Sequence, residues 1–308
     1  MDPRPDDPAT VGRYRVQARL GDDELGRLLL GADEAGRHAA VRLVDADLAA
    51  APGFRDRFRQ EIRSAAGAPP WFVAAVLDAD PDADPPWLAT ALVEGPTLHD
   101  FVTANGPLGE QGTAALAGRT ADGLVALHSS GLAHRDLVPG NVVLAEDGPR
   151  LINFGVRRAA DPVWLAPELA TSGTDPGLPG DVFAWGALVV FAATGRSPFA
   201  AATPADVLER LRSGDPDPGP LPGPLRAAVL ASLARDPAVR PTATQLRDLL
   251  AESTDTAAVT RAIPMNARET MIGPPVPPPP GTPHATRSFA PPAGPQSYGA
   301  GFAAAPAG

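Results

Sequence analysis

The sequence predicts an α+β protein with two lobes, a small β-rich lobe that carries one helix and a larger helical lobe. Between Tyr14 and Val93, short apolar runs alternate with turn residues, which is the pattern of strands in a small antiparallel sheet. After Gly95 the apolar residues recur with the period of α-helices. The 308 residues, 44% of them hydrophobic, are enough to give both lobes a buried core.

Five apolar runs predict the strands of the first lobe: YRVQARL, LGRLLLG, HAAVRLV, WFVAAVL and WLATALV. One helix interrupts them, FRDRFRQEIRSAA, in which Phe54, Phe58 and Ile62 recur at i, i+4 and i+8 and form one apolar stripe. In the second lobe, helices are predicted for EQGTAALAGRTADGLVALHSSG, DVFAWGALVVFAATG, PADVLERLRS, GPLRAAVLASLA and TATQLRDLLAES. The second of these is apolar on nearly all sides, which predicts burial at the centre of the lobe.

The two ends of the chain differ in composition from the lobes. Residues 252–308 are rich in Pro, Ala and Gly and have no apolar period, so they cannot bury a core. We therefore predict one folded domain over residues 13–251, with its first lobe at 13–93 and its second at 96–251. Residues 1–12 and 252–308 are predicted to be disordered.

Composition argues against several functional classes. The net charge of −10 is unlike that of general nucleic-acid binders, which concentrate basic residues on one face. The absence of Cys excludes disulfides, thiol nucleophiles and thiolate metal sites. The N-terminus MDPRPDDPAT lacks the features of a signal peptide, and the apolar stretch WGALVVFAATG is shorter than the about 20 residues that cross a bilayer. The sequence therefore predicts a cytoplasmic protein without a membrane span.

Four motifs follow one another in the second lobe: HRDLVPGN from residue 134, NFG from 153, APE from 166 and DVFAWG from 181. In this order, and after a β-rich lobe, they resemble the signature set of protein kinases. Each motif is weak alone, but together they make the chain similar to bacterial, actinobacterial-type serine/threonine protein kinases from about Arg13 to Leu250. The resemblance implies the two-lobed protein kinase-like fold, in which the helix of the first lobe corresponds to αC.

Several matched positions keep the residue of the family. The resemblance implies that Asp136 is the catalytic base and that Asn141 is a metal ligand. It also places Glu61 in the αC-like helix, where the family pairs a glutamate with a lysine of the third strand.

Other matches imply roles in the fold and in nucleotide binding. Asp181 would hold the catalytic loop, and Glu168 with Arg240 would form the ion pair that braces the helical lobe. The implied nucleotide-facing residues are Thr90 as gatekeeper, Leu92 and Val93 as hinge, and Gly21 and Gly26 in the glycine-rich loop.

The positions that carry the chemistry depart from the family pattern. Arg42 replaces the strand lysine in a chain whose 26 basic residues are all Arg, and a planar guanidinium is not interchangeable with an ammonium. Either drift or loss of function explains this change, and Arg42 can still form a bidentate pair with Glu61. Asn153 replaces the metal-binding aspartate, so Asn141 and Asn153 are both neutral amides, whereas such Mg²⁺ sites use carboxylates. Asn153 can nevertheless shape the turn that it begins.

Three further departures surround these residues. Val138 stands where serine/threonine kinases place a lysine near the transferred phosphate. In LGDDELG, Asp23 takes the middle glycine position, where carboxylates either repel a polyphosphate or form a hairpin tip turned to solvent. The segment 155–166 has no Ser, Thr or Tyr, so Arg135 has no phosphate to meet there.

We therefore predict a pseudokinase in which phosphotransfer is lost or severely impaired and binding of ATP and Mg²⁺ is weak or absent. Such a protein would act as a scaffold or regulator of a protein partner, for example another kinase or its substrate. One alternative is a slow but active ATP-dependent serine/threonine kinase, with Asp136 as base, Asn141 and Asn153 as metal ligands and Arg42 as phosphate clamp.

A second alternative assigns the interaction to the tail. The stretch PPVPPPPGTP favours polyproline II, which can dock in an aromatic-lined groove, but it is equally a composition of solvated linkers. Thr256, Thr260 and Thr270 are candidate phosphorylation sites for another kinase.

Overall fold

The structure, a computed structural model, describes residues 4–23, 25–153, 162–173 and 175–251. The predicted disordered tail at 252–308, with its proline-rich stretch and threonines, lies outside the described residues. So do residues 154–161, which include most of the segment without hydroxyl side chains.

The first lobe is built on a six-stranded antiparallel sheet with the order β1-β2-β3-β4-β6-β5. Alternate side chains bury one of its faces, where Tyr14 packs edge-on against Trp87 around Leu29 and Val41. The strands are β1 Thr10–Val11, β2 Tyr14–Asp23, β3 Gly26–Ala32, β4 His38–Val44, β5 Val76–Asp80 and β6 Trp87–Ala91.

Two helices, α1 Ala46–Ala50 and α2 Phe54–Ala66, supply a second apolar cluster of this lobe. The helix α2 has the predicted bounds, and its buried Phe54 and Phe58 stack with ring centroids 5.7 Å apart. Ile62, one turn further along the predicted stripe, is half-buried. The 3.6-residue period therefore located this helix correctly. Glu61 lies in its third turn.

The second lobe is helical and packs around α6, whose Trp185 donates a hydrogen bond from Nε1 to the carbonyl of Ala117 at 3.1 Å. Its helices are α3 Leu98–Asn105, α4 Glu110–Ser129, α5 Pro167–Ser172, α6 Gly177–Thr194, α7 Pro204–Ser213, α8 Gly223–Ser232 and α9 Ala243–Ala251. A hairpin of β7 Val142–Ala145 and β8 Gly148–Leu151 and the 3₁₀ turns Pro139–Asn141, Pro162–Trp164 and Pro237–Val239 complete it.

Helix α6 has 18 residues with a mean hydropathy of 1.4, so it is longer than the apolar stretch chosen from the sequence. By length and composition it meets the minimum for a membrane span. Within the described residues, 67% of this helix is buried inside the second lobe. Core packing therefore accounts for its apolar sequence.

Two sequence predictions about local structure are corrected. The run WFVAAVL is not one strand, because β5 begins only at Val76 and Val73 forms an isolated bridge to Leu151. The predicted disorder of residues 1–12 does not hold for residues 4–12. There β1 pairs with β2, and the buried carboxylate of Asp7 accepts hydrogen bonds from Arg19.

Candidate functional site

Three of the predicted site residues, Arg42, Thr90 and Asn153, line a cleft where the sheet of the first lobe faces the loops of the second. The cleft has about 400 Å³ of space between its atoms, including space open to solvent. Most of its wall is apolar, and three lining residues, Arg42, Thr90 and Asn153, have polar side chains. The lining residues are Leu28, Ala40, Arg42, Ala65, Ala74, Val76, Leu88, Thr90 and Asn153.

The loop that carries Asp136 is held in place by Asp181 of α6. The Asp181 carboxylate accepts hydrogen bonds from the backbone N–H of His134 at 2.7 Å and of Arg135 at 2.8 Å. These bonds hold Arg135 at a φ of 67°, a conformation that L-residues rarely adopt. The predicted role of Asp181 in holding this loop is confirmed.

Asp136 and Asn141 are buried together within this loop. The side-chain Nδ2 of Asn141 donates to Oδ2 of Asp136 at 2.6 Å and to the Asp136 carbonyl at 2.8 Å. Next to them, burial lowers the pKa of His134, so its imidazole stays neutral at physiological pH. The local geometry of the two family residues is therefore well defined.

Asn153 has a φ of 60°, which an asparagine tolerates better than most residues. Its Nδ2 donates to Oδ1 of Asn141 at 2.9 Å, and its Oδ1 accepts from a guanidinium nitrogen of Arg42 at 3.0 Å. The predicted turn conformation is thus present, and the side chain is also a bridge between the two lobes.

Arg42 lies on β4 and is only 4% exposed. Its second guanidinium nitrogen donates to Oδ1 of Asp23 at 2.7 Å. Asp23 comes down from β2 onto the guanidinium and forms an ion pair with it. This contact was not expected from the sequence, and the bidentate pair of Arg42 with Glu61 stays a prediction.

The predicted hairpin tip turned to solvent is corrected. Asp22 does face outward, where it is 44% exposed and pairs with Arg19 at 3.1 Å. Asp23 faces the cleft and is 19% exposed. Neighbouring residues of a strand point to opposite faces, so two adjacent aspartates at the end of β2 cannot both turn to solvent. Strand alternation was the signal in the sequence that could have found this contact.

These contacts form one hydrogen-bonded chain from Asp23 through Arg42, Asn153 and Asn141 to Asp136. Both side-chain amide oxygens in it accept hydrogen bonds from protein donors. Mg²⁺ in nucleotide sites uses carboxylate oxygens, and in the described part of the chain no three His, Cys, Asp or Glu residues gather to hold a metal. Residue 153 therefore offers a neutral amide oxygen, and no carboxylate, at this end of the cleft.

The remaining nucleotide-facing candidates lie around the cleft with different contacts. Gly26 has a φ of 128°, and a Cβ there would lie 2.2 Å from the carbonyl of Leu43, so this position requires glycine. A Cβ at Gly21 would meet no atom within 4 Å. Leu92 and Val93 follow β6 and are half-buried, but unlike Thr90 they are not among the described residues that line the cleft.

A second pocket, with about 430 Å³ of space that includes space open to solvent, lies beside Asp136 and includes the half-buried Val138. At its edge Arg135, which has no hydroxyl side chain to meet in the segment 155–166, pairs with Asp175 at 3.1 Å. Both side chains are about half exposed, so the energy of this pair is small. Asp175 was not predicted as a partner of Arg135, because Asp175 lies beyond the segment 155–166.

A family model for the protein kinase domain matches residues 14–249. The chain belongs to the protein kinase family. It is 39% identical over 256 residues to the probable serine/threonine-protein kinase PkwA of Thermomonospora curvata, covering 79% of this chain and 34% of PkwA. It is 36% identical over 258 residues to the serine/threonine-protein kinase AfsK of Streptomyces coelicolor, covering 80% of this chain and 32% of AfsK.

The chain therefore spans about a third of the length of these curated relatives. The fold is similar to the kinase domain of Mycobacterium tuberculosis PknI, with a TM-score of 0.63 and 25% identity over 80% of this chain and 97% of that domain. The predicted family and the two-lobed α+β kinase fold are confirmed.

Proposed function

We propose that this kinase domain is a pseudokinase whose cleft has exchanged metal and phosphate contacts for contacts within the protein. The observation that carries the proposal is the chain of hydrogen bonds from Asp23 to Asp136. It engages Arg42, Asn153 and Asn141, the three side chains that would otherwise meet phosphate and metal. Binding of ATP with Mg²⁺ is then weak or absent.

Kinase catalysis consists largely of positioning and of charge stabilisation, so the loss of these contacts acts on the rate itself. The loss of one preorganised donor to a transition state costs about 3–4 kcal/mol, or about 10²–10³ in rate. Here the metal carboxylate is absent at residue 153 and the loop lysine is absent at residue 138. Phosphotransfer falls to a negligible rate even though the effects are not additive.

A kinase fold without phosphotransfer acts through binding. The well-packed second lobe and the hydrogen-bonded cleft give the domain a fixed surface, and we propose that this surface binds a protein such as another kinase or its substrate. In this role Asp136 and Asn141 serve as a buried hydrogen-bonded pair that keeps the loop in place.

A slow serine/threonine kinase is the second candidate, and two observations favour it. The loop holds Asp136 in defined geometry through Asn141 and Asp181, and the relatives of 36–39% identity bear the names of serine/threonine-protein kinases. In this candidate Asp136 accepts the proton of the substrate hydroxyl. Arg42 must first exchange Asp23 for phosphate.

Transfer of labelled γ-phosphate by the purified full chain separates the two candidates. The assay is run with Mg²⁺ and with a chelator, on generic protein substrates and on the chain itself, beside the variant Asp136→Asn. We expect the wild-type signal to equal that of Asp136→Asn under both conditions. Transfer that requires Mg²⁺ and disappears in Asp136→Asn would refute the pseudokinase proposal and establish the slow kinase.

A calorimetric titration with ATP, with and without Mg²⁺, tests the proposed state of the cleft independently of turnover. We expect weak or absent binding that Mg²⁺ does not strengthen, because both amide oxygens already accept hydrogen bonds from protein donors. Binding in the micromolar range that depends on Mg²⁺ would favour the slow kinase.

A further inference from the structure

We propose that Asp23 determines which ligands the cleft accepts. Its carboxylate takes the place at Arg42 that an anionic ligand would need, so the cleft selects uncharged planar ligands of the nucleoside type over polyphosphates. This inference rests on the proposed function, because it assumes that the cleft corresponds to the ligand cleft of a kinase domain.

The first step is the contact itself. Arg42 is 4% exposed and donates to Asp23 at 2.7 Å through one nitrogen and to Asn153 at 3.0 Å through the other. A polyphosphate that approaches this guanidinium meets the carboxylate of Asp23 beside it. Displacing Asp23 would leave a carboxylate close to the incoming negative charge, which is unfavourable for both groups.

The second step is the restraint on Asp23. The side chain of Asp23 also accepts a hydrogen bond from the backbone N–H of Leu25 at 3.0 Å, which fixes it in the turn between β2 and β3. Its neighbour Asp22 is held on the opposite side of the hairpin by Arg19 and Arg4. With Asp22 held outward, strand alternation directs Asp23 into the cleft.

Third, residues at the N-terminus support the hairpin from outside the cleft. We name residues 4–7, with the sequence RPDD, the N-terminal strap, because Asp6 and Asp7 both accept hydrogen bonds from Arg19. The buried side chain of Arg19 thus joins this strap to Asp22. The position of Asp23 is therefore supported from outside the cleft and does not depend on Arg42 alone.

The fourth step is what remains for a ligand. Apart from Arg42, Asn153 and Thr90, the cleft is lined by Leu, Val and Ala side chains. Such side chains can contact the face of a flat apolar ring, and a neutral molecule does not compete with Asp23 for the guanidinium. The chemistry of the cleft therefore favours a nucleoside over its phosphates.

The test is calorimetric titration of the full chain with adenosine and with ADP, both in a chelator so that no metal contributes. For the wild type we expect adenosine to bind more tightly than ADP. For Asp23→Asn, which keeps the size and the ability to accept from Arg42 but removes the charge, we expect ADP affinity to rise about 10- to 100-fold. Adenosine affinity should stay unchanged.

Asp22→Asn is the matched control, because it removes the same charge one residue away on the outer side of the hairpin while its amide oxygen can still accept from Arg19 and keep the hairpin in place. We expect it to change ADP affinity by less than about threefold at physiological salt, where exposed charges are screened. In Asp23→Asn/Arg42→Gln the gain in ADP affinity should disappear, since the gain acts through the guanidinium. Thermal unfolding of each variant verifies that it is folded.

Several results would overturn the inference. The first is that the wild type binds ADP more tightly than adenosine. The second is that ADP affinity rises equally in Asp22→Asn and Asp23→Asn. The third is that neither ligand binds the wild type or Asp23→Asn. None of these results bears on phosphotransfer, which is measured separately through Asp136. The ligand inference and the pseudokinase proposal can therefore fail independently.

Discussion

At residue 153 the backbone and the side chain place separate demands on the amino acid. The φ of 60° favours Asn, Asp or Gly, while the two hydrogen bonds need a side chain that donates to Asn141 and accepts from Arg42. An aspartate could satisfy the first demand but offers no donor while ionised. Asparagine at this position therefore does more than replace a metal-binding aspartate, because its amide donates to Asn141 and accepts from Arg42.

Two substitutions separate these demands. Asn153→Gly keeps the positive φ and removes both side-chain hydrogen bonds, which we expect to destabilise the domain by about 1–3 kcal/mol. Asn153→Ala removes the same bonds and adds the cost of a left-handed alanine, about 1–2 kcal/mol more. Urea unfolding of both variants measures the difference. Equal stabilities would contradict a backbone requirement at this position.

The partner of Arg42 could not be predicted from the motifs, although its position in the cleft could. The family pattern suggested Glu61, whereas the contact with Asp23 depends on which way the β2–β3 turn faces. That direction is set by the ion pair of Asp22 with Arg19, three residues earlier on β2. Arg19 in turn pairs with Asp6 of the N-terminal strap. Such a chain of contacts across several elements is not readable from local spacing.

At the scale of one element, α4 contains two glycines with opposite packing. A Cβ at Gly123 would lie 2.3 Å from the ring of Phe72, whereas a Cβ at Gly118 would meet no atom within 4 Å. Gly123 therefore permits the close approach of the loop that follows α2. Gly118 has no such contact and costs helix stability through its backbone freedom.

Alanine at these two positions should change stability in opposite directions. We expect Gly123→Ala to cost about 1–3 kcal/mol, because the added methyl group overpacks the contact with Phe72. Gly118→Ala should stabilise the domain by about 0.5–1 kcal/mol through helix propensity. Denaturant unfolding of both variants tests this. A stabilising effect at both positions would mean that Phe72 moves away at little cost.

The N-terminal strap gives β2 a pH-dependent contact. Hydrogen bonds from Arg19 lower the pKa of Asp6 and of Asp7 below the ordinary value of 3.8. A carboxylate with a lowered folded-state pKa stabilises the protein above its unfolded pKa, and this contribution is lost as the pH falls through the folded-state value. The strap should therefore stabilise the sheet at neutral pH and release it in acid.

We expect the double variant Asp6→Asn/Asp7→Asn to have a lower Tm than the wild type at pH 6–7. As the pH falls below 3.8 the two melting temperatures should converge, since the carboxylates become protonated first in the unfolded chain and, at lower pH, in the folded protein. Thermal unfolding across this range by circular dichroism provides the measurement. A Tm difference that stays constant down to pH 2.5 would contradict a role for these charges.

At the scale of the whole molecule, the lobes and their order follow from patterns that the sequence shows directly. Long periodic segments such as α2 and α7 have the predicted bounds, because an apolar stripe and capping residues define both ends. The short elements α1, α3 and α5 were missed. They have five to eight residues, which is too few for a distinct period, and their position depends on packing against larger elements.

The ion pair of Glu168 with Arg240 joins three parts of the second lobe and was predicted correctly. Both guanidinium nitrogens donate to the carboxylate at 2.7 Å, and Arg240 also donates to the carbonyls of Ala234, Pro179 and Arg235. The side chain of Arg240 has no exposed surface, and its guanidinium lies 4.9 Å from the ring centroid of Phe183. It connects the start of α5, the first turn of α6 and the loop before α9.

Removing this cation should destabilise the second lobe as a unit. We expect Arg240→Met to cost about 3–5 kcal/mol, because Glu168 then loses its bidentate partner in a largely buried position. Arg247→Gln is the control, since its pair with Asp248 is about half exposed and should contribute no more than about 1 kcal/mol. Urea unfolding followed by tryptophan fluorescence, to which the buried Trp185 of this lobe contributes, measures both effects. Equal losses of unfolding free energy in the two variants would show that the bidentate pair contributes no more than a surface ion pair. The stability of the second lobe would then come from its apolar core.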